Sequence, residues 1–138
     1  MKALLQLDGY WVEDLRVKAA PGIVERHAWP VILPRIQCEV FRAPEDAVYR
    51  VDLRLVAGPS AVARGLPYEY RLQMYGIFSF ESGTADDTQE RLVHVSGPAM
   101  LYGIARGVLA QSTALGPHGR YLLPSINFVN LLERAQRG

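Results

Sequence analysis

The sequence predicts an α+β domain: a four-stranded antiparallel sheet with helices packed on one face and following the strands. Three observations carry this. Four segments within residues 4–80 alternate apolar and polar side chains with period two, the pattern of strands buried on one face. From Asp86 onward the apolar spacing becomes helical. Short connections between the last three strands favour antiparallel neighbours, and helices that come after the strands pack together on one side of the sheet.

The first strand covers about Leu4 to Ala19. Leu5, Leu7, Trp11, Leu15 and Val17 share a face, with Gln6, Asp8, Asp14, Arg16 and Lys18 opposite. Gly9 marks a bulge or bend in so long a strand. Pro21 to Pro34 fits neither period and holds three prolines, which predicts a long crossover loop. The second strand spans about Arg35 to Phe41, where Ile36, Cys38 and Val40 alternate with Arg35, Gln37 and Glu39; Pro44-Glu45-Asp46 then turns the chain. In the third, Tyr49, Val51, Leu53 and Leu55 oppose Arg50, Asp52 and Arg54, the cleanest alternation of the four. After Gly58-Pro59-Ser60 and a flexible Ala/Gly stretch, the fourth places Tyr68, Tyr70, Leu72, Met74, Phe78 and Phe80 on one side.

Ser82-Gly83-Thr84 and Asp86-Asp87 supply capping and acidic groups for a helix start. A short helix is expected over Asp86 to Val95, ended by Gly97-Pro98. Pro98 then suits the first turn of a second helix reaching about Ala114, with an apolar stripe of Leu101, Ile104, Ala105 and Val108. Gly103 and Gly107, four apart, let another backbone approach. Leu115-Gly116-Pro117 stops this helix. Asn127 can cap a last one, Phe128 to Gln136, with Phe128, Leu131, Leu132 and Ala135 on its apolar side.

A chain of 138 residues without repeats or linkers points to one domain, residues 1–138. The hydrophobic fraction of 49% and charged fraction of 21% are those of a globular protein. Cys38 stands alone, which excludes an internal disulfide framework and suits a reducing cytoplasm. Met1-Lys2-Ala3-Leu4-Leu5 starts like a signal peptide, but Gln6, Asp8 and Glu13-Asp14 interrupt it. No run approaches the ~18 apolar residues of a membrane span. The expectation is a soluble, cytoplasmic protein with no membrane insertion. Net charge is +1, from 15 basic and 14 acidic residues, and the basic ones are scattered, so nucleic acid is not an expected partner.

Chemistry-bearing constellations are few. Glu90 and His94 sit four apart on a helix, a spacing that can place two metal ligands together, but a third ligand is missing. His27 and His118 read as loop-surface residues. Cys38 alternates with Ile36 and Val40 as a small apolar filler and lacks an activating base. Ser60-Ala61-Val62-Ala63-Arg64-Gly65 lacks the glycines and lysine of a phosphate loop, and neither Ser79 nor Ser96 has a nucleophile-elbow context. The chain is expected not to be an enzyme and to need no cofactor, metal or ATP.

One string carries a resemblance. Gly76-Ile77-Phe78-Ser79-Phe80 is followed by Gly97-Pro98-Ala99-Met100-Leu101-Tyr102, then Ala105-Arg106-Gly107, Leu122-Leu123-Pro124-Ser125-Ile126 and Asn127-Phe128. In order and spacing, across roughly half the chain, this resembles the SecB protein-export chaperones. The resemblance implies the four-stranded SecB-like architecture and an ATP-independent holdase that keeps preproteins unfolded in apolar grooves. A holdase reads many sequences, so it needs adaptable apolar surface with a polar rim rather than specific hydrogen bonds.

Carried over by position, the resemblance implies client-binding roles for Trp29 in the crossover loop and for Ile36, Cys38 and Val40 on the second strand. It implies the same for Leu101 and Tyr102 on the long helix and Phe128 at the start of the last one. It also implies a homotetramer, a dimer of dimers, held by the first strand's edge and by helix packing. Tyr70, Leu72 and Met74 then have three readings: core, subunit interface or client contact. Asp14 matches one acid of the face that docks the export motor SecA. Lys18 and Arg71 stand where acids are expected, the chain ends at Gln136-Arg137-Gly138 without an acidic tail, and Gly103 and Ile104 replace a common Pro-Tyr. These departures open two alternatives: a SecB-like chaperone dedicated to one partner, such as an antitoxin, or a small α+β ligand-binding domain.

Overall fold

The computed structural model describes residues 3–22, 29–43 and 47–129. Strands β1 (Leu5–Ala19), β2 (Arg35–Arg42), β3 (Val48–Ala57) and β4 (Tyr68–Phe80) form one sheet in the order β1-β4-β3-β2, every neighbouring pair antiparallel. A short helix, α1 (Pro59–Ala63), links β3 to β4, and α2 (Asp86–Thr113) crosses one face of the sheet. The Pro44-Glu45-Asp46 turn, His27, and the last helix beyond Val129 lie outside the described residues.

The two central strands alternate as their sequences require. Every second residue of β3 and of β4 is buried beneath α2, because both strands are paired on both edges. Tyr70, Leu72 and Met74 are 2%, 0% and 0% exposed, which places them in the protomer's own core and removes the subunit-interface reading. Arg71, Gln73 and Tyr75 point to the far face.

The first strand departs from its expected alternation. The β1–β4 register shifts between Leu7 and Gly9 and again between Val12 and Asp14. Each extra residue reverses which face the following side chains take. Trp11 therefore leaves the face of Leu5 and Leu7, and Tyr10 and Val12 take the inner positions opposite Gly76 and Met74. The second shift restores Leu15 and Val17 to the inner side. On the far face Trp11 stacks on Tyr75 at 5.2 Å, and the Arg50 guanidinium lies 4.0 Å above the Tyr75 ring. Gly9 makes this possible, since a Cβ there would come within 2.8 Å of the Trp11 indole.

The expected break at Gly97-Pro98 is absent: one helix runs through both residues. A proline inside a helix forfeits a backbone hydrogen bond and costs about 3 kcal/mol. Burial offsets it. Gln89, Val93, Gly97, Leu101, Ala105, Leu109 and Thr113 form an unbroken buried row at spacing four, the ridge along which a helix packs. At the crossing, a Cβ on Gly76 would meet Leu101 at 2.9 Å and one on Gly97 would meet Val51 at 3.1 Å. Two glycines thus set how closely α2 approaches the sheet. The helix start also differs from expectation: its N-cap is Ala85, without a side-chain cap, while Asp86 and Asp87 complement the helix dipole. The Ala/Gly stretch after Gly58 is helical rather than flexible, with Pro59 in its first turn and Ala61 buried.

Candidate functional site

After α2 the chain turns over 114–118 and returns along the domain as a strap ending at 127, with no strand partner among the described residues. Side chains hold its backbone instead. The Tyr68 hydroxyl donates to the Gly119 carbonyl at 2.7 Å and accepts from the His118 amide at 3.2 Å. Thr113 Oγ1 accepts from the Tyr121 amide at 2.8 Å; Arg106 Nε donates to the Leu123 carbonyl at 3.0 Å, and Tyr102 donates to the Pro124 carbonyl at 2.5 Å. Asn127 Oδ1 accepts from the Val129 amide at 3.0 Å, the bond of an N-cap. His118, expected only at the surface, bonds through Nε2 to the Ala20 carbonyl at 2.7 Å and packs edge-on to Tyr68, tying the strap to the start of the crossover segment.

Strap, helix and crossover segment enclose an aromatic cluster. Trp29 lies 6.3 Å from Tyr121, Tyr121 lies 5.6 Å from Tyr70, and Tyr102 meets Phe128 edge-to-face at 5.6 Å. Burial pushes the Tyr70 hydroxyl well above its ordinary value, with Tyr121 adding to the shift. Burial likewise raises Tyr121, and moves Tyr102 up to about 12 with a contribution from Tyr121. All three stay protonated at neutral pH. Close to these rings in the chain, Val31 and Leu33 of the crossover segment, Leu122 of the strap and Val129 just beyond it expose apolar side chains to solvent. Exposed aliphatic side chains of this kind suit extended, nonspecific apolar contact.

The expected client-binding residues fall into three groups. Trp29 joins the aromatic cluster at half exposure. Ile36 and Val40 are half-buried on the inner side of the edge strand β2, with Cys38 exposed between them. Cys38 is open to solvent, yet the atoms packed around its sulfur push the thiol up to about 11; exposure decides its reach and the shift its charge, so it is no thiolate nucleophile. Leu101, Tyr102 and Phe128 are buried: Leu101 is sealed against Gly76 at the helix–sheet crossing, and the other two lie under the strap. Tyr121 escaped the sequence reading, though Tyr121 and Leu123, buried on either side of exposed Leu122, carried a period-two signal.

Glu90 and His94 serve other contacts. Glu90 accepts from the Tyr49 hydroxyl at 3.3 Å and reaches Arg42 at 3.9 Å, while His94 Nδ1 bonds the Glu90 carbonyl at 2.8 Å. Among the described residues no three His, Cys, Asp or Glu side chains gather as a metal site. Asp14 sits on the far face of the sheet, paired with Arg16 at 3.2 Å.

The family described as preprotein translocase subunit SecB matches residues 2–138, essentially the whole chain. The chain belongs to the SecB family. A solved relative in fold is a Mycobacterium tuberculosis SecB-like chaperone in complex with a ChAD peptide from the HigA1 antitoxin. It shares 11% identity at a TM-score of 0.61, over 89% of this chain and 91% of that one. No curated protein matches the chain. The SecB-like motif residues now have physical roles: Gly76 and Gly97 set the helix–sheet spacing, Arg106 holds the strap, and Asn127 caps the turn after it.

Proposed function

We propose that this SecB-family protein is an ATP-independent holdase that binds unfolded polypeptides. One observation carries the reading: Val31, Leu33, Leu122 and Val129, close in the chain to the rings of Trp29, Tyr121 and Phe128, expose apolar surface. The client surface comprises this region together with Ile36, Cys38 and Val40 on β2, whose outer edge can accept a further extended segment. Leu101, Tyr102 and Phe128 support that surface from beneath rather than touching the client.

Assembly into a homotetramer fits two features. The free edge of β1 is long and exposes Tyr10, Trp11, Val12 and Leu15, a hazard that a second copy would cover. On α2, Gly103 and Gly107 face open space, leaving room for a partner helix.

Export of preproteins through SecA is one destination for the clients, with Asp14 as a contact. A dedicated partner such as an antitoxin is the other. The second is favoured by two observations: the solved relative holds an antitoxin peptide, and Lys18 and Arg71 make the far face basic where an acidic dock is expected.

The test is a titration with a reduced, unfolded model protein and with the same protein folded, without nucleotide. Binding of the unfolded form alone is the expected result. Binding of neither form overturns the holdase reading, and saturable binding of one small apolar molecule would replace it.

A further inference from the structure

The far face of the sheet, uncovered by α2, ends in a group of cations that client binding does not use. Strand register sets Arg16 directly opposite Arg71, Arg71 opposite Val56, and Val56 opposite Arg35; one step along, Lys18 faces Glu69. Two adjoining cavities of about 390 and 330 Å³ open here and share Val56, Ala57, Gly58 and Pro59. Arg16, Lys18 and Arg71 line the first; Arg35 and Arg64 line the second. Arg16 is paired with Asp14, but Lys18, Arg35, Arg64 and Arg71 form no ion pair among the described residues.

Glu69 is the single acid in either lining. Like charges directly opposite across strands destabilise a sheet, and Arg71, opposite Arg16, forms no ion pair with an acid among the described residues. The whole protein carries a net charge of only +1, so this concentration reflects placement rather than composition.

We propose that this end of the far face docks an acidic polypeptide segment of a partner protein. Arginine forks match carboxylates in paired hydrogen bonds, which a sheet end bearing Arg35, Arg64 and Arg71 can offer to successive acidic side chains. The apolar wall between them, Val56, Ala57 and Pro59, takes the intervening hydrophobic side chains. A nucleic acid fits less well. Its affinity grows with the number of neutralised phosphates along a track, and here the track is short, with Glu69 in its lining and Asp14 paired to Arg16. The inference does not rest on the holdase reading: Arg16, Lys18, Arg35 and Arg71 lie on the opposite face of the sheet, although Leu33 of the client surface also lines the second cavity.

Fluorescence anisotropy on the full chain tests it with four probes: a short glutamate- and leucine-rich peptide, its lysine counterpart, single-stranded DNA, and an unfolded protein of neutral charge. The acidic peptide should bind, and binding should weaken as salt rises. Lys18→Glu and Arg71→Glu should each lower its affinity at least about tenfold while unfolded-protein affinity stays within about twofold. Arg71→Gln, with an unchanged circular dichroism spectrum, should show a smaller loss in the same direction. Equal binding of acidic and basic peptides, a preference for DNA, or acidic-peptide binding that survives both charge reversals overturns the proposal. Acidic-peptide binding without unfolded-protein binding supports it and counts against the holdase reading alone.

Discussion

Single side chains decide how this domain closes. Gly76 lies where Leu101, Leu7 and Phe78 converge, each within about 3 Å of where a Cβ would sit. Gly76→Ala should therefore cost about 1–3 kcal/mol through forced repacking, read as a lower urea midpoint at unchanged slope. Trp29 has a different part, at the surface of the aromatic cluster. Trp29→Ala should weaken unfolded-client binding roughly tenfold, measured by titration, with the circular dichroism spectrum intact. Cys38 offers a chemical readout. With its thiol held at about 11, iodoacetamide alkylation near pH 8 should run roughly 100-fold slower than for a free cysteine and accelerate as pH rises. Of these residues only Trp29 and Cys38 stood out in the sequence. Gly76 entered only as the first residue of a motif string, because what it makes room for, the Leu101 side chain, lies 25 positions away and is brought there by the fold.

At the scale of elements, all four strands were legible, and the irregularity within β1 was not. β3 and β4 are paired on both sides, so their alternation survives intact, whereas β1 carries two register shifts that turned Trp11 outward. A bulge leaves little composition signal beyond Gly9, which announced one irregularity but not its sense. Likewise Gly97-Pro98 reads locally as a helix stop, and only the buried row from Gln89 to Thr113 explains why α2 continues. The strap had turn residues but no periodic run long enough to mark it, and its bonds come from Tyr68, Tyr102, Arg106 and Thr113 elsewhere in the chain.

The strap also makes a pH prediction. Tyr70, Tyr102 and Tyr121 are raised in the folded state by burial, so folding holds their protons more tightly than the unfolded chain does. Stability from these groups is complete below the ordinary tyrosine value near 10 and falls as pH rises beyond it, by up to about 1.4 kcal/mol per pH unit for each tyrosine. Denaturant midpoints across that range should drop steeply, and Tyr70→Phe should make the drop shallower. A flat profile above pH ~10 would show that the cluster is open to solvent.

For the whole molecule, the two faces of the sheet divide the work. The inner side carries the core under α2 and, at its margins, the apolar surface proposed for clients; the far side carries the Trp11–Tyr75–Arg50 stack and the basic end. The sequence showed this division as alternating strands, but not which apolar residues remain exposed once one helix has covered the centre. Leu101, Leu72 and Met74 look no different in sequence from Val31 and Leu33; only their place at the helix–sheet contact, where the first three are buried, separates them. The proposed assembly is separable from folding at Gly107, where a Cβ would meet nothing within 4 Å among the described residues. Gly107→Ala should stabilise the helix by up to about 1 kcal/mol, and Gly107→Leu should reduce a tetramer to smaller species in analytical ultracentrifugation without unfolding it.

The central claim is that unfolded chains bind through the apolar margin of the inner side. Hydrogen-exchange mass spectrometry, with and without a saturating unfolded client, tests it most directly. Peptides covering residues 29–42 and 121–129 should gain protection, while the far-face end of the sheet around Arg16 and Arg71 should not. Protection confined to the far face, or no change anywhere at saturation, would contradict the account.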